Sequence, residues 1–378
     1  PIRGPFEPMR VAGLLSGTSM DGLDVALCRV TVNGPADAPL IEAELDHFDT
    51  VPFPAALVTR LAALDRLELA ELAALDADLG RWQADAVAER CRAHGFTPEL
   101  VGSHGQTVYH DHGEVSWQLG EPSFLAAALG CPVVHGFRQG DIAVGGAGAP
   151  LVPFVDWALL RSASEDRAAL NLGGIANLTL LPHAGAPRGF DVGPGNMVLD
   201  ELARRATAGA KGADEDGAFA VRGRIDEVAV ERFLQHPFLL TRPPKSCGRE
   251  QFGAGFVDAW LTQEPASSEQ DWCDRLATAT AWTAAAVARD LATYAPATRR
   301  LLVSGGGVHN PALMAALAHR LDHHVILERT DAYGLPVDAK EAVAFAILAA
   351  CRLARVPANL PSATGASRPA LLGRICEV

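Results

Sequence analysis

The chain alternates between short apolar runs and longer amphipathic ones. The short runs are rich in Val, Leu and Ile and end in Gly, Asn, Ser or His, the pattern of buried strands bounded by turns. They are RVAGLLS (10–16), LDVALCRVTV (23–32), ELVGSH (99–104), PVVHG (132–136), AALNLGG (168–174), ANLTLL (176–181), RRLLVSGG (299–306) and HHVILER (323–329). Helical spacing predicts two helices within residues 55–94, broken near Gly80. Further helices are predicted in NMVLDELARRAT (196–207), in the alanine-rich 274–295, and in NPALMAALAHRLD (310–322). The last predicted helix, AKEAVAFAILAACRLA (339–354), is almost wholly apolar. Asn310 and Pro311 are placed as N-cap and first helical residue.

Strands alternating with helices predict an α/β fold. The order of elements occurs twice. A strand, the turn SGTSMDG (16–22) and a second strand are followed later by LVGSHGQTV (100–108). A strand, the turn NLGGIAN (171–177) and a second strand are followed later by LLVSGGGVHN (301–310). Two related α/β domains are expected, with their loops facing one cleft. The first spans 9–135 and is completed by about 355–378. The second spans 136–354 and carries a polar insertion near 205–275.

With 378 residues, 49% of them hydrophobic, the chain can bury two sizeable cores. There are 32 basic against 45 acidic residues, net −13, and only three lysines, Lys211, Lys245 and Lys340. No basic run is present, which argues against a nucleic-acid or anionic-membrane partner. No apolar stretch reaches the ~18 residues of a membrane helix. Seven scattered cysteines without a C-x-x-C fit reduced thiols, hence a cytoplasmic location, better than a disulfide or zinc framework. The start, PIRGPFEPMR, lacks the apolar core of a signal peptide.

Several familiar motifs are missing. No Gly-Lys precedes Ser or Thr, so there is no P-loop; no complete G-x-G-x-x-G and no G-x-S-x-G occur. His104, His110 and His112 cluster in SHGQTVYHDHG without an H-E-x-x-H, and His110 and His112 read as polar loop residues. What remains is four loops rich in Gly with Ser, Thr or Asn: SGTSMDG, NLGGIAN, DVGPGN and SGGGVHN. One such loop is ordinary turn chemistry. Four at strand ends suit an anion, because glycine lets backbone N–H groups approach and hydroxyls add donors.

Taken in order, GLLSGTSMDGLDVAL, GSHGQTVYH, GGAGAPLVP, NLGGIANLTLL, GFDVGPGNMVLD, PKSCGREQF and SGGGVHN resemble the anhydro-N-acetylmuramic acid kinase family over about residues 11–350. The resemblance implies a two-domain actin-like ATPase (ribonuclease H-like) fold with an interdomain cleft. It also implies a reaction in peptidoglycan recycling. Water opens the 1,6-anhydro ring of 1,6-anhydro-N-acetylmuramic acid, and ATP phosphorylates O6. By the same resemblance Gly17, Thr18, Ser19, Met20, Asp21, Gly22 and Asp24 contact ATP in a first phosphate loop. Asp21, a hard oxygen ligand, is the candidate to hold Mg²⁺ through water, with a turn aspartate as the competing role, although Ser16 stands where the wider actin-like pattern often carries an acid. Gly173, Gly174 and Asn177 belong to the second phosphate loop, and Gly305, Gly306, Gly307 and Asn310 to a loop near the adenosine.

Asp191 is implied as the general base, with a helix N-cap as the competing role. His104, Gln106, Thr107, Arg138, Asp141 and Glu341 are the candidates for the sugar. Arg138 offers a bidentate contact to the lactyl carboxylate, against an ion pair with Asp141. A homodimer is left open. The rivals are another actin-like sugar kinase acting on a free hydroxyl, and a non-catalytic actin-like ATPase.

Overall fold

The computed structural model describes residues 7–17, 22–36, 39–111 and 113–378. It divides into two compact units, residues 1–159 with 339–378, and residues 160–338.

The first unit is built on β1 (Met9–Ser16), β2 (Gly22–Asn33), β3 (Leu40–Pro52), β4 (Leu100–Asp111), β5 (Val115–Leu119) and β6 (Val133–His135). Its sheet runs β6-β4-β1-β2-β3, closed at one side by the strand Arg374–Cys376, with β5 hairpinned onto β4. β1 is parallel to β4 and antiparallel to β2. The helix Leu69–Ala93 contributes to the core on one face through Ala84, Ala86, Val87 and Cys91. On the other face the helix Lys340–Leu353 lies directly over Gly13 and Gly102. A Cβ on either would collide with the helix backbone, at the carbonyls of Ala342 and Phe345.

The second unit has β7 (Arg167–Leu172), β8 (Ile175–Leu181), β9 (Arg188–Pro194), β10 (Arg300–Ser304) and β11 (Ile326–Arg329), in the order β11-β10-β7-β8-β9. β7, β10 and β11 are parallel, and β8 and β9 are antiparallel additions. The order therefore repeats that of the first unit: three antiparallel strands, then parallel ones added beside the first. This is the α/β plan expected of an actin-like, ribonuclease H-like chain. The buried core unites Leu170, Leu172, Phe190 and Val192 with Trp282 of the long helix Glu269–Tyr294.

Two expectations need correction. The unit boundaries fall at 159/160 and 338/339, not at 135/136 and 354/355. Residues 136–159 stay with the first unit because Asp141 is bonded by Asn359 and Thr364 and Ala147 N–H donates to Thr364 O. Residues 339–354 stay because their helix packs on β1 and β4. The region 55–94 is a short helix, Ala55–Leu61, and one unbroken helix through Gly80. Gly80 marks a close approach of the Glu121 backbone rather than a break. The segment 205–275 lies within the second unit and packs on its core. Its Phe233, Phe252 and Phe256 pack around Trp282, centroids 5.0–5.9 Å apart, and Trp260 packs on Phe233 at 4.8 Å.

Candidate active site

In the second unit a polar row crosses four strands. Ser304 of β10 is in register with Asn171 of β7, Asn171 with Asn177 of β8, and Asn177 with Asp191 of β9. Directly opposed residues share a sheet face, so these four side chains line up where the strands end. The Gly-rich loops lie beside them. Gly195 N–H and Met197 N–H donate to Gly174 O at 2.9 and 3.0 Å, and Asn196 N–H donates to Gly173 O at 2.8 Å. Asn196 Nδ2 donates to Leu172 O at 3.1 Å. A Cβ on Gly307 would press on Leu172 and on Asn196 Oδ1, so the 305–307 turn sits on the same group.

The glycines divide into two kinds. Gly305 has φ +85°, and Gly195, Gly305 and Gly307 have no room for a side chain against the unit's own atoms. Gly173, Gly174 and Gly306 do have room. Their nearest neighbours to an added Cβ are at 3.5 Å (Asn171 Nδ2), 3.4 Å (Met197 Cε) and 3.9 Å (Asn196 Nδ2). Gly174 and Gly306 are also exposed. Packing explains the first kind and does not explain the second. Asn310 caps the helix Pro311–Arg320, its Oδ1 accepting from Ala312 N–H at 3.0 Å and Leu313 N–H at 3.2 Å.

Asp191 is 9% exposed and lies inside β9. It does not cap the following helix, whose N-cap is Gly195. Its Oδ2 accepts from Ser246 Oγ–H at 2.9 Å and from Cys247 N–H at 3.0 Å, and its own N–H donates to Lys245 O at 3.0 Å. The Cys247 thiol is pushed up, first by burial and then by the negative charges of Asp191 and Glu250. It therefore stays protonated near neutral pH and is a poor nucleophile.

In the first unit the loop between β1 and β2 carries Thr18, Ser19, Met20 and Asp21, which lie outside the described residues, as does His112. What flanks the loop is described. Ser16 Oγ–H donates to Gln106 Oε1, and Gln106 Nε2 donates to Gly17 O and to Thr107 O, both at 3.3 Å. Gln106 thus ties the ends of β1 and β4 together. Gly22 lies against the Val51 carbonyl, and Asp24 accepts from Thr50 Oγ1–H at 2.6 Å. Thr107 Oγ1 accepts from Gln118 Nε2 at 3.3 Å.

Arg138 Nε–H donates to His104 Nε2 at 3.1 Å, and Arg138 Nη1 donates to Gly148 O at 3.0 Å. Burial lowers the guanidinium to about 10, against the favourable charge of Glu341, so it remains protonated at neutral pH. Arg138 and Asp141 do not pair. Asp141, fully buried, accepts from Gly148 N–H at 2.9 Å, Asn359 Nδ2 at 2.6 Å and Thr364 Oγ1–H at 2.7 Å. It fixes the turn that carries Gly148, which in turn holds Arg138. A cavity of about 190 Å³ in this unit is lined by Ser103, His104, Gln118, Glu121 and His135, among others. A hollow of about 540 Å³ in the second unit is lined by Glu165, Asp166, His183 and Arg299. Glu165 and Asp166 precede β7, Arg299 precedes β10 and His183 follows β8, so it lies at the end of the strands opposite the Gly-rich loops.

Among the described residues no three His, Cys, Asp or Glu side chains converge as a metal site, and no helix is long and apolar enough to cross a membrane. Sequence reasoning passed over Asn196, Lys245, Ser246 and Cys247. The motif PKSCGREQF contained three of them, but its spacing from Asp191 along the chain gave no sign of contact.

The family model described as anhydro-N-acetylmuramic acid kinase matches residues 9–377. The curated anhydro-N-acetylmuramic acid kinase of Synechococcus elongatus is 42% identical over 383 residues, covering 97% of this chain and 99% of the relative. That of Xanthomonas campestris pv. campestris is 43% identical over 373 residues, covering 96% of each. Among solved structures, a ROK family glucokinase from Streptomyces griseus aligns with a TM-score of 0.37 at 13% identity, over 90% of this chain and 99% of that one. The Acidaminococcus fermentans (R)-2-hydroxyglutaryl-CoA dehydratase component A aligns with a TM-score of 0.43 at 9% identity, over 92% and 99%.

Proposed function

This chain belongs to the anhydro-N-acetylmuramic acid kinase family, and on that premise we propose how its residues divide the reaction. The protein is an ATP-dependent kinase. It opens the 1,6-anhydro ring of 1,6-anhydro-N-acetylmuramic acid with water and phosphorylates O6, giving N-acetylmuramic acid 6-phosphate and ADP in peptidoglycan recycling.

Asp191 takes the proton of the attacking water. The water oxygen bonds to C1, the C1–O6 bond breaks, and O6 attacks the γ-phosphorus as the bond to ADP breaks. Phosphate captures the departing sugar oxygen, so no second carboxyl group is required to protonate it, unlike in ordinary glycosidases. The observation that carries this reading is the position of Asp191: a carboxylate held at the end of the Ser304–Asn171–Asn177 row, beside glycines that packing does not require.

Gly17, Gly22 and Asp24 with Thr18, Ser19, Met20 and Asp21, and Gly173, Gly174 and Asn177, hold the phosphates. The turn 305–307 with Asn310 receives the adenosine side. Mg²⁺ accompanies ATP, held through Asp21, and supplies charge neutralisation at the phosphates. Arg138 receives the lactyl carboxylate through its remaining guanidinium N–H groups. His104 and Asp141 position it, and Gln106, Thr107 and Glu341 complete the sugar contacts.

The test is turnover of ATP with the anhydro sugar in oxygen-18 water, with mass analysis of the product. The label is expected on C1 and not in the phosphate, because O6 keeps its own oxygen. Label in the phosphate means that water attacked ATP and rejects the mechanism. Equal turnover of free N-acetylmuramic acid points to an ordinary hydroxyl kinase instead.

A further inference from the structure

We propose that Ser246 is a positioning residue for Asp191, the central member of a three-residue clamp, 245–247, that fixes the carboxylate; the proposal rests on the reading of Asp191 as the base. β9 is the edge strand of its sheet, so its outward N–H and C=O groups lack a neighbouring strand. Residues 245–247 run along that edge. Lys245 O takes the Asp191 N–H at 3.0 Å, while Ser246 Oγ–H and Cys247 N–H both bond Oδ2, at 2.9 and 3.0 Å. Three consecutive residues therefore grip the backbone and the carboxylate of one residue. These two bonds fall on the same oxygen, which restrains rotation of the carboxylate about its Cβ–Cγ bond.

The clamp is itself anchored. Lys245 Nζ is 3.0 Å from Asp290 Oδ2 of the helix Glu269–Tyr294, with side chains 1% and 3% exposed. The ammonium also lies 5.0 Å from the Phe238 ring centroid and 5.9 Å from that of Phe190, the residue before Asp191. Asp290 Oδ1 accepts from Arg289 Nη2 at 3.2 Å, and Arg289 is tied to Leu234 O and Leu239 O, both at 2.8 Å. A buried ion pair contributes little net stability, but losing one partner leaves the other charged and unpaired, so the pair enforces one arrangement. Here it enforces the position of the 245–247 backbone. A base must meet its water within hydrogen-bond reach and at the right angle. A freely rotating carboxylate would satisfy that geometry only part of the time.

The experiment compares Ser246→Ala, Ser246→Thr and Asp191→Asn in the full-length enzyme, with steady-state kinetics in ATP and the anhydro sugar across pH. For Ser246→Ala, kcat should fall about 10- to 100-fold, the range for losing a hydrogen bond to a charged group. Both KM values should stay within about twofold, because binding groups are untouched. The acid limb of the kcat profile should move to higher pH, since a donor favouring the ionised carboxylate is gone. Ser246→Thr keeps the hydroxyl and should restore both. A merely structural serine would alter the melting temperature and leave the acid limb in place. Wild-type kcat and an unmoved limb in Ser246→Ala, with Asp191→Asn inactive, reject the clamp and spare the base. Near-wild-type turnover by Asp191→Asn rejects the base, and the clamp with it. Lys245→Met leaves the buried Asp290 with Arg289 alone and removes the anchor of the 245–247 backbone, so a loss of stability would confound it and the conclusion is drawn at Ser246.

Discussion

Arg138 donates its Nε–H to His104 Nε2 at 3.1 Å, which settles the protonation state of the imidazole. Arginine cannot accept, so Nε2 carries the lone pair and Nδ1 the proton. That Nδ1–H donates to the Gly105 carbonyl at 2.9 Å. The ring also packs on Phe345, centroids 4.7 Å apart. Both nitrogens are committed within the unit, so His104 serves as a support for Arg138 rather than as a proton donor to a ligand.

A pH dependence follows. Burial, and then the charge of Arg138, depress His104 from the ordinary 6.5 to about 3. Between those values the unfolded chain binds a proton that the folded one refuses. The contribution of His104 to stability is therefore complete above about pH 6.5 and is lost as pH falls toward about 3, by up to about 1.4 kcal/mol per unit. Melting temperatures of wild type and His104→Gln should diverge below pH 6.5, with the wild type losing ground as the solution is acidified. A difference that stays constant from pH 7.5 to pH 4.5 would contradict the neutral tautomer.

β1, β4, β7 and β10 were legible because they are largely buried and so read as continuous runs of Val, Leu and Ile, whereas β5 and β9 gave no such run. β3 was not legible either. LIEAELDHFDTVP is an edge strand with acids spread along it, and its half-exposed pattern carries no apolar signal. The Asn310 cap and the glycine loops were legible from local chemistry alone. The grip of Ser246 and Cys247 on Asp191 was not, because it joins residues 55 and 56 positions apart through a loop with no periodicity. The role of Gly80 was misread for a related reason. A glycine made necessary by a neighbouring segment looks the same in sequence as one that ends a helix.

Lys340 is the first residue of the helix Lys340–Leu353, 2% exposed, with Nζ 2.7 Å from Asp156 Oδ1. Lys340→Met should destabilise the first unit by about 3–5 kcal/mol, because Asp156 is left charged and buried. The double variant Lys340→Met/Asp156→Leu should recover most of that loss. Chemical denaturation of the three proteins checks it. Equal stability of the single and double variants would mean that the pair is not the determinant.

Gly102 lies beneath the same helix, where a Cβ would run into the carbonyl of Phe345 and come within 2.8 Å of Ala349 Cβ. Gly102→Ala should cost about 1–3 kcal/mol or more through overpacking. The loss should appear as a lowered melting temperature with nucleotide affinity intact in whatever fraction folds. Unchanged stability would show that the helix can lift without penalty.

The division of the loop glycines gives the opposite expectation. At Gly174 an added Cβ meets only Met197, its Cε at 3.4 Å and Cβ at 3.9 Å, and at Gly306 only the Asn196 amide, at 3.9 Å. Neither glycine has a positive φ in the left-handed region. The fold therefore tolerates Gly174→Val and Gly306→Ala, and both should melt within a few degrees of wild type. If these glycines exist to let phosphate or nucleotide approach the backbone, the added carbons occupy that space. ATP affinity should then fall about tenfold or more, a loss of at least about 1.4 kcal/mol. Gly305→Ala is the internal contrast: φ is +85° and the added Cβ would be 2.6 Å from Asn171 Oδ1, so it should damage the fold itself. Calorimetric titration with a non-hydrolysable ATP analogue, beside thermal melts, separates the two kinds. Wild-type affinity in a folded Gly174→Val would remove the 173–177 turn from the nucleotide site. Unfolding of that variant would show that the glycine is held by packing after all.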